Sequence, residues 1–458
     1  MLAGFAEKEF TPASGLIPGQ IEANYASGVR TPLMAHVAVI TSNEKTVMFV
    51  SMDIIFITVD LATRIRQKIS DATGVPTENI LLACTHTHTG CGTDVQCWLS
   101  PAEPDVAEYA GNVTVEAAKE AFENQIEVAI GTGKGYESRF SFCRDWYMAD
   151  GRLRNHPGMG HPQDLLAPLD AVDHSVNVMR IDDMNGYPRC FIVNYANHPD
   201  NHKKRDMFSA DYPGYLRIAL RRLFGRDVAV VFLNGTCGDV NDIDYKYETS
   251  NSFRAHGLCP PELIGEGLAE TVAKINKGIE TRAGDVFIQT KSELHETVRR
   301  FATEEMKEWA KMIMAKKEAG EEVSLHSGEL ARQYLLDESG YPEKVALEIH
   351  VMQVGGWVVV GLPGEIYTRI GTRIKANSPF ANTLVVELAN GAHGYISPDI
   401  IQDCGAYEGI YSNIAYTGHG TVDVLVNGAT AMLRQMHNDY IEAVTDGFKL
   451  HPVTERTK

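Results

Sequence analysis

Ile80-Leu81-Leu82-Ala83-Cys84-Thr85-His86-Thr87-His88-Thr89-Gly90 is the stretch whose reading decides the fold. The apolar run Ile80 to Cys84 reads as a buried strand. It ends in two histidines spaced i, i+2. On extended backbone that spacing sends both imidazoles to the same side. Ligands in α/β folds gather just past the carboxyl ends of strands. His86 and His88 are therefore a candidate metal or acid–base site. The plainer alternative is a pair of hydrogen-bonded histidines in a strand-end turn.

Upstream, Val59 to Thr73 reads as an amphipathic helix, with Leu61, Ile65 and Ile69 at four-residue spacing and Gly74-Val75-Pro76 stopping it. Ala35 to Ile40 and Thr46 to Met52 read as strands before it. Downstream come a loop over the site (Cys91 to Pro104), a helix (Asp105 to Asn124) and a strand (Gln125 to Gly131). Lys134 to Gly160 is irregular and contains Cys143-Arg144-Asp145-Trp146-Tyr147. A loop of that length in an enzyme has a binding role or acts as a lid. Strands at Val176 to Arg180 and Arg189 to Tyr195 follow, the second running into Ala196-Asn197-His198-Pro199. A helix (Pro213 to Phe224) leads to a strand (Val228 to Leu233) that opens into Asn234-Gly235-Thr236-Cys237-Gly238-Asp239-Val240-Asn241. Pro261 to Lys277 is helical.

Beyond residue 280 the texture changes. Val286 to Leu294 is β-like, and Thr303 to Glu338 is a charged helical arm broken near Gly320. Val345 to Val354 and Trp357 to Val360 form a hairpin whose second strand ends in Gly361-Leu362-Pro363-Gly364-Glu365. A helix (Ile366 to Asn377), a strand (Thr383 to Leu388) and a closing helix (Thr421 to Phe448) complete the chain. No internal repeat is visible. The pattern predicts an α/β protein with mixed β-sheet layers flanked by helices. Residues 1–280 form a lobe carrying the histidine motifs and 281–458 a lobe carrying Glu365, together one two-lobed unit.

The 458 residues carry 42 basic against 60 acidic side chains, a net charge of −18. That argues against nucleic acid and anionic membranes as partners, since both need a basic face. No apolar run approaches a membrane span, and the N-terminus lacks the pattern of a signal peptide. The eight cysteines are scattered without a CxxC pair and read as free thiols. The expectation is a cytoplasmic protein acting on a small molecule, with oligomer formation left open.

Four strand ends thus carry metal-type or acid–base residues: His86/His88, His198, Asp239 and Glu365. Singly, His198 reads as a core histidine, Asp239 as a turn or cap residue, and Glu365 as a carboxylate favoured by a helix N-terminus. Together they supply the two or three histidines and a carboxylate of a catalytic zinc site with an open position. Zinc there would lower the pKa of a bound water to about 7 and polarise a carbonyl. No nucleophile elbow, P-loop or dinucleotide fingerprint is present.

These motifs resemble the neutral/alkaline, non-lysosomal ceramidases and their shorter bacterial relatives. Thr85-His86-Thr87-His88-Thr89-Gly90 looks like the family's His-Thr-His-Ser-Gly, Asn234 to Asn241 like its Gly-Asp-Val segment, and Pro363-Gly364-Glu365 like its Pro-Gly-Glu. Gly394-Tyr395-Ile396 with Ala406-Tyr407-Glu408 looks like its tyrosine-bearing segment. The resemblance implies Zn²⁺ held by His86, His198, Glu365 and Tyr395. It implies that His88 contacts substrate or the reacting centre, that Arg144 polarises or holds the substrate, and that Tyr407 donates a hydrogen bond in the transition state. Tyr395 as a ligand comes from the resemblance alone. Two departures stand out. The family's Gly-Asp-Val-Ser reads Gly238-Asp239-Val240-Asn241 here, and an asparagine amide is not a useful nucleophile. The chain also leaves no room for the family's C-terminal β-sandwich. The expectation is a zinc-dependent hydrolase of an amide (N-acyl) bond in a small polar substrate, with His174, Asp200 and His202 adding polar groups to the pocket. The alternatives are hydrolysis of an ester, lactone or glycosidic bond in carbohydrate breakdown, or a binding protein on a disabled enzyme fold.

Overall fold

In the computed structural model, described for residues 1–18, 24–97, 99–158, 162–202, 204–246 and 260–445, one arrangement of elements occurs three times. The first unit is β1 (Leu2–Glu9), β2 (Met34–Ser42), β3 (Lys45–Met52), α1 (Val59–Thr73), β4 (Ile80–Cys84) and α2 (Pro104–Glu123). The second is β5 (Ile126–Tyr136), β6 (Ser175–Asp183), β7 (Pro188–Tyr195), α3 (Asp211–Phe224), β8 (Ala229–Asn234) and α4 (Pro261–Asn276). The third is β9 (Ile288–Val298), α5 (Glu304–Glu318), α6 (Leu325–Tyr334), β10 (Lys344–Val354), β11 (Trp357–Gly361), α7 (Thr368–Asn377), β12 (Asn382–Val386) and α8 (Thr421–Thr445). In each unit the first three strands pair antiparallel, and a crossover helix brings the fourth in parallel to the third. The helical arm predicted over 303–338 is an insertion in the third unit.

The repeat is invisible as sequence identity because pairing depends on alternation, not on particular residues. Each unit sends one set of strand side chains outward to its own helices. Val50 and Leu82 meet Leu61 and Ile65 of α1, Val193 and Phe232 meet Leu216 and Leu220 of α3, and Val358 and Val385 accompany Ile370 of α7. Pairing of β1 with β5 joins the first two units into one eight-stranded sheet. The alternate set from it and from the four-stranded sheet of the third unit shares one inner core, where Phe49, Ile192 and Trp357 are fully buried. The Phe49 and Trp357 rings meet edge-on, centroids 5.8 Å apart. With both faces covered, the strands read as near-continuous apolar runs. The carboxyl ends of β4, β8 and β12 converge: the Cys84 N–H donates to Leu388 O and the Glu387 N–H to Asn234 O.

Charge pins the second unit to the first. Arg217 of α3 donates to both oxygens of Asp53 at 3.1 and 2.5 Å. His36 lies between Asp53 and Glu7, 3.6 and 3.0 Å away, and Arg221 closes the network on Glu7. Burial alone would raise the Glu7 carboxyl, but His36, Arg221 and Arg217 bring it from an ordinary 4.5 down to about 2. A depressed carboxyl stabilises the fold above its unfolded pKa and loses that contribution as pH falls through its folded one. Glu7 is therefore expected to contribute about 3 kcal/mol that disappears between pH 4.5 and pH 2. Denaturant unfolding across this window should show a shallower acid loss in Glu7→Gln, and an unchanged slope would refute the assignment.

Among the described residues, no helix is long and apolar enough to cross a membrane. The seven described cysteines are free, and Cys259 lies outside the described residues.

A candidate metal centre where three strand-end loops meet

β4 spans Ile80–Cys84, as the apolar run predicts. The histidines, however, lie beyond it, and His86 has φ +70°. The expected presentation on extended backbone is therefore replaced by a left-handed turn, uncommon for a non-glycine residue. The N–H groups of Thr85 and His86 donate to Met52 O and Ile54 O, so the segment after β3 holds the turn. Both rings still meet, their Nε2 atoms 3.3 Å apart.

His198 reaches the same point from the end of β7, with its Nε2 3.1 Å from that of His86. The Nδ1 atoms of both rings face backbone carbonyls, His86 that of Ile55 at 2.8 Å and His198 that of Cys237 at 3.1 Å. A carbonyl only accepts, so each Nδ1 carries the proton and each neutral ring turns its Nε2 lone pair inward. Glu365 Oε2 stands 3.3 Å from His86 Nε2 and 3.9 Å from His198 Nε2. It is buried and accepts no hydrogen bond. Three lone-pair atoms facing one another with no donor among them call for a positive charge, and a divalent cation with N and O ligands fits the set. His86, His88 and His198 also form a group whose ligand atoms all lie within 4.8 Å of one another. Without a metal, a proton is the competing charge. Burial disfavours an imidazolium at His86, but Glu365 raises its pKa, whereas burial, Arg144 and the other two imidazoles push His198 well down.

Tyr395 sits directly beside Glu365, because the short strands Glu365–Ile366 and Tyr395–Ile396 pair in parallel with these residues in register. Gly394 permits this with φ +70°; a Cβ there would meet Ile414 O at 2.2 Å. Tyr407 packs edge-on against Tyr395, ring centroids 5.8 Å apart. Arg144 donates to the Tyr395 hydroxyl at 3.2 Å and to Gly238 O at 2.7 Å. Its Nε stands 2.7 Å from Glu408 Oε1 in a nearly solvent-free pair.

The remaining sequence candidates are engaged elsewhere. The Asp239 carboxylate accepts from the Thr368 N–H at 2.7 Å and hydroxyl at 2.8 Å, tying it to the start of α7. Asn241 donates to the Tyr245 hydroxyl and accepts from the Ile243 N–H. His174 bonds to Ser141 O, His202 to Ser209 Oγ, and Asp200 pairs with Arg205.

Sequence reasoning missed Glu387 and gave Glu408 no role. Glu387 follows β12 directly and is fully buried. It accepts from the Cys237 and Ile366 N–H groups, both at 3.0 Å, and from the Cys237 thiol at 2.8 Å. It thereby ties together the loops behind His198 and Glu365. The available signal was a charged residue at the end of the apolar run Leu384-Val385-Val386.

A cavity of about 140 Å³ opens beside Glu365, walled by Phe56, Val95, Ala392, Ile414 and Tyr416.

No protein-family model and no curated protein sequence matches this chain. Among solved structures it is similar to the neutral ceramidase from Pseudomonas aeruginosa, with a TM-score of 0.70 and 16% identity over 95% of this chain and 74% of that one. It is also similar to a ceramidase complexed with C2, with a TM-score of 0.69 and 15% identity over 96% and 75% of the two chains. The chain therefore has a neutral ceramidase-like fold, in mixed sheets flanked by helices.

Proposed function

We propose that this neutral ceramidase-like chain is a zinc-dependent hydrolase that cleaves an amide bond of a small substrate. The observation that carries the reading is the pair of inward Nε2 lone pairs 3.1 Å apart beside the unpartnered Glu365 Oε2. His86, His198, Glu365 and Tyr395 are the proposed ligands. A zinc ion bound there would polarise a carbonyl and acidify water towards neutral pH.

The protein's own groups supply the rest. His88 is the least buried of the three histidines and is placed to hold or move a proton. Arg144 fixes the Tyr395 hydroxyl and brings positive charge to the side where an oxyanion develops. Tyr407 offers a hydroxyl beside it. Asn241, with both ends of its amide engaged, provides no nucleophile, which leaves water as the attacking group. The cavity beside Glu365 is close in size to one that admits benzene, about 150 Å³. That supports a short apolar arm on the substrate rather than a long lipid chain.

The purified protein is expected to contain about one zinc per chain, and a chelator should abolish amine release from short N-acyl amines until zinc is restored. Full activity in metal-free protein would refute the proposal. Turnover of esters, lactones or glycosides without amine release would keep the metal and change the bond.

A further inference from the structure

The cavity beside Glu365 shares Asn413 and Tyr416 with a second one of about 190 Å³. Arg299, half-buried at the C-terminal end of β9, lines this outer compartment. Its guanidinium lies between two aromatic faces, 4.8 Å from the Tyr341 ring centroid and 4.4 Å from that of Tyr416. The Nε is buried and unbonded. Among the described residues, Arg299 has neither a carboxylate partner nor an acceptor for its side chain. This is unexpected in a chain with 60 acidic against 42 basic residues. It is also unexpected locally, because Glu338 lines the same cavity but is engaged by the Tyr411 hydroxyl and the Ala302 N–H.

The neighbouring groups hold the compartment in shape. Arg300 donates to Gly409 O and Ala415 O, both at 2.7 Å, fixing the loop that carries Tyr411 and Asn413. The Tyr416 hydroxyl is hydrogen-bonded to His393 at 2.8 Å, so the wall shared by the two compartments is anchored. Aromatic faces orient a guanidinium and leave its planar donor edge free for an oxyanion.

We infer that Arg299 binds a carboxylate carried by the substrate at the far end of the apolar arm that fills the cavity beside Glu365. Resting on the reading above, this narrows the substrate class to amides with an anionic group separated from the scissile bond by a short apolar segment. A planar fork facing one carboxylate gives two charge-assisted hydrogen bonds.

The test is calorimetric titration of the zinc-loaded protein with straight-chain α,ω-dicarboxylates of increasing length, each compared with its monomethyl ester. At one chain length the diacid should bind at least about tenfold tighter than the ester, the scale of one charge-assisted interaction. Arg299→Gln should remove that preference and leave ester binding within about twofold, while Arg299→Lys retains part of it. A merely structural Arg299 would weaken both ligands alike. No preference at any length in the wild type, or a preference that survives Arg299→Gln, overturns the inference. Zinc content is measured on the same samples, so a protein without metal refutes the hydrolase reading separately.

Discussion

Replacing His86 by alanine is expected to remove bound metal and to cut amide turnover by more than about 100-fold, since even losing a group that only orients a ligand costs 10–100-fold. His86 Nε2 is the central atom of the cluster, within 3.3 Å of His198, His88 and Glu365 alike. An alanine there leaves an unpaired carboxylate facing a neutral imidazole. The informative control is His88→Ala. If the metal is held by His86, His198, Glu365 and Tyr395, this variant keeps its zinc and loses only turnover. If the three histidines form the metal shell, it loses zinc as His86→Ala does. Metal content by elemental analysis, measured beside the rate, separates the two. Activity retained in His86→Ala would place the reaction elsewhere in the molecule.

Much of this site was legible because strand ends announce themselves. Ile80–Cys84 and Val59–Thr73 have the bounds that their apolar patterns predict, and the loops after β4, β7 and β11 carry the histidines and the glutamate. What was not legible depends on contacts distant in sequence. No local pattern says that His86 takes a left-handed backbone, because that turn is held by Met52 and Ile54. The place of Tyr395 follows from a two-residue strand paired with Glu365, too short to leave a periodicity. Glu387 looks like a surface residue until the loops carrying Cys237 and Ile366 close over it. The threefold repetition is hidden for the same reason. Its units share pairing and alternation, while their loops differ and carry a histidine pair, a cysteine-containing turn and a glutamate.

The interior of the site gives the largest expected effect on stability. Glu408 is fully buried against Arg144, and Asn155 donates to Glu408 Oε1 at 2.7 Å and to Asp145 Oδ1 at 3.0 Å. The Tyr367 hydroxyl donates to the other oxygen of Asp145 at 2.9 Å. Burial disfavours a charge on both partners and pushes the Glu408 carboxyl up to about 8. Glu408 and its neighbours nevertheless keep the guanidinium protonated, and a guanidinium 2.7 Å away favours the carboxylate form of Glu408. Glu408→Ala would leave that charge without its carboxylate in a nearly dry site. A loss of about 3–5 kcal/mol in unfolding free energy is expected, the cost of breaking a buried ion pair from one side. Removing both charges should cost much less, because the desolvation penalty leaves with them. The double variant Arg144→Met/Glu408→Leu is therefore expected to regain most of the lost stability in denaturant titrations. It should stay deficient in turnover, since no guanidinium would then fix Tyr395. A double variant no more stable than Glu408→Ala would show that Glu408 acts through packing rather than charge. Full turnover in the double variant would remove Arg144 from the reaction.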